Sequence, residues 1–216
     1  MTTVRLAADE PPGLAAYLDR LLGLDSRAAV RLQARGKVLG VWSGPPFDVV
    51  ALRPVALDEA TDLDVTVSAR RLHDRLSEAT GGTLLDVPPP VPGPSWVGLL
   101  PPRSGWQERG RTTVGQVRAA VDQAVHFFRA RTEEVTDRAE LEAVAADVWQ
   151  RAVLAEVPVR AAHAAVSLGL LGPSDGEVVA WANEPWLRLS CPGGSVALRR
   201  TAAAPDLFAL VQAARS

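Results

Sequence analysis

Residues Asp86–Arg111, DVPPPVPGPSWVGLLPPRSGWQERGR, hold seven of the chain's 17 prolines and divide a strand-patterned half from a helix-patterned one. Proline fixes φ and removes a backbone donor, so a run this dense is neither helix nor central strand. Trp96, Val97, Leu99, Leu100 and Trp106 are too apolar for a solvated linker. The stretch therefore reads as an ordered strap packed against both halves. Three segments follow: a β-rich α+β half over 1–85, the strap over 86–111, and a helical half with a three-stranded β unit and a C-terminal helix over 112–216.

N-terminal to the strap, Pro11 and Pro12 suit a first helical turn. Leu14, Tyr17, Leu18, Leu21 and Leu22 then recur at helical spacing until Gly23. From Ala29 the pattern alternates, with Val30, Leu32 and Ala34 on one side and Arg31, Gln33 and Arg35 on the other. Gly36-Lys37 and VLGVW follow, which predicts a β-hairpin. Two further strands are expected over Phe47–Leu57 and from Asp62, then a short helix through Leu72 and Leu76, with TLLDV as an edge strand.

C-terminal to the strap, Thr113 and Gln116 match T-x-x-Q, in which the threonine oxygen caps a backbone amide and the glutamine reaches back. Val114, Val117, Val121, Val125 and Phe128 share the inner face of the helix that starts there. Asp137 with Glu140 opens a second helix, striped by Leu141, Val144, Val148 and Trp149. Pro158 opens a third through Leu170. VVAWA, WLRLSC and SVALRR, separated by turns at Asn183–Pro185 and Pro192–Gly194, predict three antiparallel strands, and Pro205 opens a last helix.

Three helices followed by a hairpin resemble winged-helix domains, with Pro158–Leu171 in the place of the recognition helix and Pro192–Ser195 at the wing tip. The fold class expected is thus α+β, with an N-terminal antiparallel sheet and helices, and a C-terminal helical half carrying a winged-helix-like hairpin sheet. A helix that enters the major groove needs side chains that reach bases or phosphates. Arg160 is the only charged residue of that helix, and Arg199 and Arg200 on the strands are the other candidate nucleic-acid contacts.

Little else carries chemistry. His163, spaced with Val159 and Val166, points to the core. His73, His126 and His163 form no ligand pattern, and Asp58, Glu59, Asp62 and Asp64 read as a solvated turn. The elbow G-x-S-x-G and the phosphate-cradling glycine motifs are absent, and Cys191 reads as a small core residue. Catalytic, cofactor and metal residues are therefore expected to be none. Trp96 and Trp106 are the candidate interaction surface, because tryptophan gathers at seams between layers, domains and subunits.

A lone cysteine, net charge −2 and arginine in place of all but one lysine argue for a reducing compartment and a high-GC coding bias, and against a polyanion-binding composition. No signal peptide or membrane span is expected. WVGLLPPRSGW (96–106) and VPVRAAHAAVSLGLLG (157–172) resemble stretches of an uncharacterised actinobacterial protein family. That resemblance implies a bacterial cytoplasmic origin and carries no activity. The leading expectation is a non-catalytic interaction or scaffold protein, as a homodimer or with a protein partner. A DNA-binding transcriptional regulator acting through residues 112–200 is second, and an enzyme with an unrecognised site third.

Overall fold

The computed structural model describes residues 2–78 and 82–200. The helix expected from Pro205 lies outside them. The chain forms two compact units, Met1–Pro45 with Val50–Leu100, and Pro46–Val49 with Pro101–Ser216.

In the N-terminal unit, strand β1 (Thr3–Arg5) precedes helix α1 (Glu10–Leu24). Two prolines start α1 where backbone donors would go unused, and Leu14, Tyr17, Leu18, Leu21 and Leu22 form its buried stripe. Two long antiparallel strands follow, β2 (Ala29–Ser43) and β3 (Val50–Ser68), then helix α2 (Ala69–Glu78) and strand β4 (Leu84–Asp86), which pairs with β1.

The hairpin predicted at Gly36-Lys37 is not a turn. β2 runs straight through it, paired with β3 from Ala29 opposite Ser68 to Ser43 opposite Ala51, with a register shift between Gly36 and Val38. Gly36, at φ +64°, sits at a bulge, because the residues on both sides of Gly36-Lys37 pair with β3 and not with each other. The bulge has a purpose. Before it Val30, Leu32 and Ala34 face the core; after it Leu39, Val41 and Ser43 do. The pairing shifts by three residues, from Gly36 opposite Thr61 to Val38 opposite Ala56, and an odd shift changes the parity of β2 so that both halves of the strand face inward.

In the C-terminal unit, edge strand β5 (Gln107–Thr113) leads into helix α3 (Val114–Thr132) through the expected cap. Thr113 accepts from the Gln116 amide while the Gln116 side chain accepts from the Thr113 amide. Helix α4 (Arg138–Trp149) begins at Asp137, whose carboxylate accepts from the Glu140 amide. The short strands β6 (Ala152–Leu154) and β7 (Val157–Pro158) pair before helix α5 (Val159–Ser167). The strands β8 (Glu177–Asn183), β9 (Trp186–Cys191) and β10 (Gly194–Arg199) form the expected meander, and β5 joins it on β8, giving the order β10-β9-β8-β5.

This arrangement corrects the winged-helix reading. Val159 through Ala165, including Arg160 and His163, are all buried, so α5 is a core helix with no face for a DNA groove. An element this apolar on every side belongs inside a domain. The three-stranded sheet is also not a free wing, because Gln107–Thr113 extends it as a fourth strand.

Candidate interaction surface

The charged and aromatic residues singled out by sequence separate into a buried cluster, a seat for Trp96, and an outer sheet face. In the cluster, Arg160 is 3% exposed and donates from Nη1 to the backbone oxygens of Phe47 and Asp48, both at 2.7 Å. The Asp48 carboxylate stands 3.4 Å away, and desolvation holds the Arg160 pKa below its ordinary value. His163 is packed between the stacked Trp149 ring and the edge of Phe47, and burial pushes its pKa down to about 4. Arg160 ties backbone to core, His163 fills it, and neither faces outward.

Trp96 lies in a short 3-10 turn, Ser95–Gly98, of the N-terminal unit. Its indole covers Gly44, and a methyl group on Gly44 would lie 2.5 Å from the ring. The turn is fastened by Arg31, which donates to both oxygens of Asp64 at 2.7 and 2.8 Å and to the Val97 carbonyl at 2.7 Å. Beside Trp96 is a cavity of about 530 Å³ bounded by Asp25, Arg27, Ser68 and Pro92.

The outer sheet face is built by strand pairing. Trp181 on β8 stands opposite Arg188 on β9, and Trp186 on β9 opposite Arg199 on β10. The Arg188 guanidinium carbon lies 4.3 Å from the Trp106 ring centre and 5.5 Å from that of Trp181. Arg199 lies 6.0 Å from Trp186. Trp106 is held by its indole N–H, which donates to the Pro102 carbonyl at 2.9 Å, and its loop by Asn183, which donates to the Ser104 carbonyl at 2.8 Å. Arg200 is instead consumed in ion pairs with Glu156, at 2.7 Å, and Glu184. Sequence reading names Trp106 and Arg199 as candidates; what it does not show is that the β8–β9 register sets Trp181 opposite Arg188.

Other groups show no convergence. Glu59 pairs with Arg5, and His73 reaches Asp19 at 2.9 Å across the two helices of the N-terminal unit. Cys191 is half-buried, its thiol pushed up to about 12 by burial. Among the described residues no group of three or more His, Cys, Asp or Glu is placed to hold a metal ion, and no helix is long and apolar enough to cross a membrane.

Two family models match in succession, each over slightly less than half of the chain. Residues 1–98 match a domain of unknown function (DUF8010) and residues 101–203 a second domain of unknown function (DUF8185). No curated protein matches the sequence. Solved structures do match in fold. A DNA polymerase III subunit beta from Pseudomonas aeruginosa is 15% identical with a TM-score of 0.56, covering 97% of this chain and 68% of that one. A sliding clamp from Bartonella birtlesii is 11% identical with a TM-score of 0.63, over 96% and 67%. One from Caulobacter crescentus is 12% identical with a TM-score of 0.57, over 96% and 68%. The fold is therefore that of the sliding clamps, made of repeated α/β domains, and not a winged helix. The chain spans about two thirds of the length of those subunits.

Proposed function

We propose that this protein is a non-catalytic scaffold of the sliding-clamp kind, which associates with duplex DNA by enclosing it as an assembly of more than one copy. The observation that carries the reading is the fold likeness over 96% of the chain at a TM-score of 0.63. Net charge supports enclosure over adhesion. At −2 the chain has no excess of cations with which to hold phosphates by electrostatics alone, whereas a closed assembly needs few contacts. Those few are available on the helix pair of the N-terminal unit, where Arg20 on α1 and Arg70 and Arg71 on α2 are exposed and form no ion pair among the described residues.

The test compares retention on a nicked circular duplex with retention after linearisation, with light scattering for assembly state. A protein that encloses DNA stays on the circle and runs off the linear ends. Replacing Arg20, Arg70 and Arg71 with alanine lowers the salt slope of association by about one for each phosphate contact removed. Equal loss from circle and line, or a strict monomer at high concentration, overturns the reading.

A further inference from the structure

The outer sheet face of the C-terminal unit holds two cations, Arg188 and Arg199, without a counter-ion among the described residues. Among the described residues no carboxylate pairs with Arg188 or Arg199, while the acidic residues of the same sheet are already engaged. Glu108 and Glu177 sit on Arg111, and Glu184 on Arg200. The Nε of Arg188, the Nε of Arg199 and the indole N–H of Trp181 are buried with no acceptor. Desolvation lowers the Arg188 pKa, so its charge is held at a cost that no carboxylate among the described residues offsets.

The geometry of Arg188 defines what would offset it. The indoles of Trp106 and Trp181 lie against the guanidinium, the arrangement that cation–π attraction favours. A guanidinium held in this way accepts a further partner in its own plane, along the edge of its terminal nitrogens, where a carboxylate takes two parallel hydrogen bonds. The flanking indoles would cover apolar groups next to that carboxylate. A phosphate backbone fits poorly, because two unpaired cations make no track and Glu108, Glu177 and Glu184 border the strands.

We propose that this face docks an acidic, aromatic-bearing peptide segment of a protein partner, with a carboxylate seated on Arg188 between Trp106 and Trp181. The site stands independently of whether the chain encloses DNA.

A dye-labelled Asp-Phe repeat peptide is titrated into the full-length protein by fluorescence anisotropy, beside an Asn-Phe repeat, a Lys-Phe repeat and oligothymidylate. The Asp-Phe peptide is expected to bind in preference to all three, and Arg188→Met to weaken it at least about tenfold, as loss of a charge-assisted bidentate contact does. If Arg188→Met fails to fold by circular dichroism, Arg188→Lys and Arg199→Gln serve, each expected to weaken binding several-fold. Failure of the Asp-Phe peptide to bind, equal binding of the Asn-Phe peptide, insensitivity to these variants or preference for oligothymidylate overturns the proposal, the last in favour of single-stranded nucleic acid.

Discussion

Trp149 and His163 stack with ring centres 5.0 Å apart and planes 27° from parallel, and Phe47 closes the imidazole from its edge at 5.3 Å. The charged form of His163 therefore has no water, and its Nδ1 has no partner. On the same helix Arg160 is positive, and the Asp48 carboxylate stands 3.4 Å from Arg160. Burial depresses the folded pKa to about 4, against about 6.5 unfolded. The unfolded chain thus binds the extra proton between these values. Stability is fully present above pH 6.5 and declines as pH falls towards 4, by up to about 3 kcal/mol. Urea unfolding of wild type and His163→Gln at pH 7 and pH 4.5 isolates the effect. The difference between the two proteins should shrink or reverse at the lower pH, and a constant difference would show that the imidazole does not titrate as inferred.

Arg160 anchors residues 46–49 to α5 through two carbonyls. Arg160→Met keeps much of the volume and leaves both oxygens without that donor. A loss of about 2–4 kcal/mol is expected, with Arg160→Lys recovering part of it. A change below about 0.5 kcal/mol in urea would show that water takes over the carbonyls.

Local chemistry made much of this fold readable. The cap at Thr113, the proline start of α1, the stripe of α4 and the β8–β10 meander each rest on residues within a few positions of one another. What failed were non-local choices. QERGRTT is polar and follows a proline run, so nothing nearby reveals that it joins Glu177–Ala182 as a fourth strand. Without that pairing, three helices and a hairpin fit a winged helix equally well. Gly36 was read as a turn because glycine suits both turns and bulges; only the parity of the buried residues across β2 separates the two. The setting of Arg188 is not legible in the sequence because it lies in Trp106 and Trp181, which strand register and a distant loop bring to it.

Tyr17 and Ser43 share a 2.7 Å hydrogen bond and are both buried. Burial raises the phenol to about 12, even though the Ser43 hydrogen bond pulls it down. Tyr17→Phe leaves the serine hydroxyl unpartnered and should cost about 1–2 kcal/mol, while Tyr17→Phe with Ser43→Ala should cost little more than either single change. The raised phenol pKa adds a second signature. Stability is present below the unfolded value near 10 and is lost as pH rises from there towards 12. That alkaline loss should be weaker in Tyr17→Phe, as thermal unfolding at pH 9 and 11 would measure.

Trp96 could serve as an internal anchor or as an exposed contact for a partner, and Gly44 separates the two. Its Cα lies under the indole so closely that an added methyl meets Cδ1 at 2.5 Å, Nε1 at 2.6 Å and Cγ at 2.8 Å. If the indole is an anchor, Gly44→Ala must expel it and cost about 1–3 kcal/mol, with a red shift in tryptophan emission. In a Trp96→Ala background the same methyl meets no ring, so most of that cost should disappear. Urea unfolding of the four proteins gives the coupling directly. Equal costs of Gly44→Ala in both backgrounds would mean that the indole leaves its seat freely, and Trp96 would then be a surface residue available to a partner.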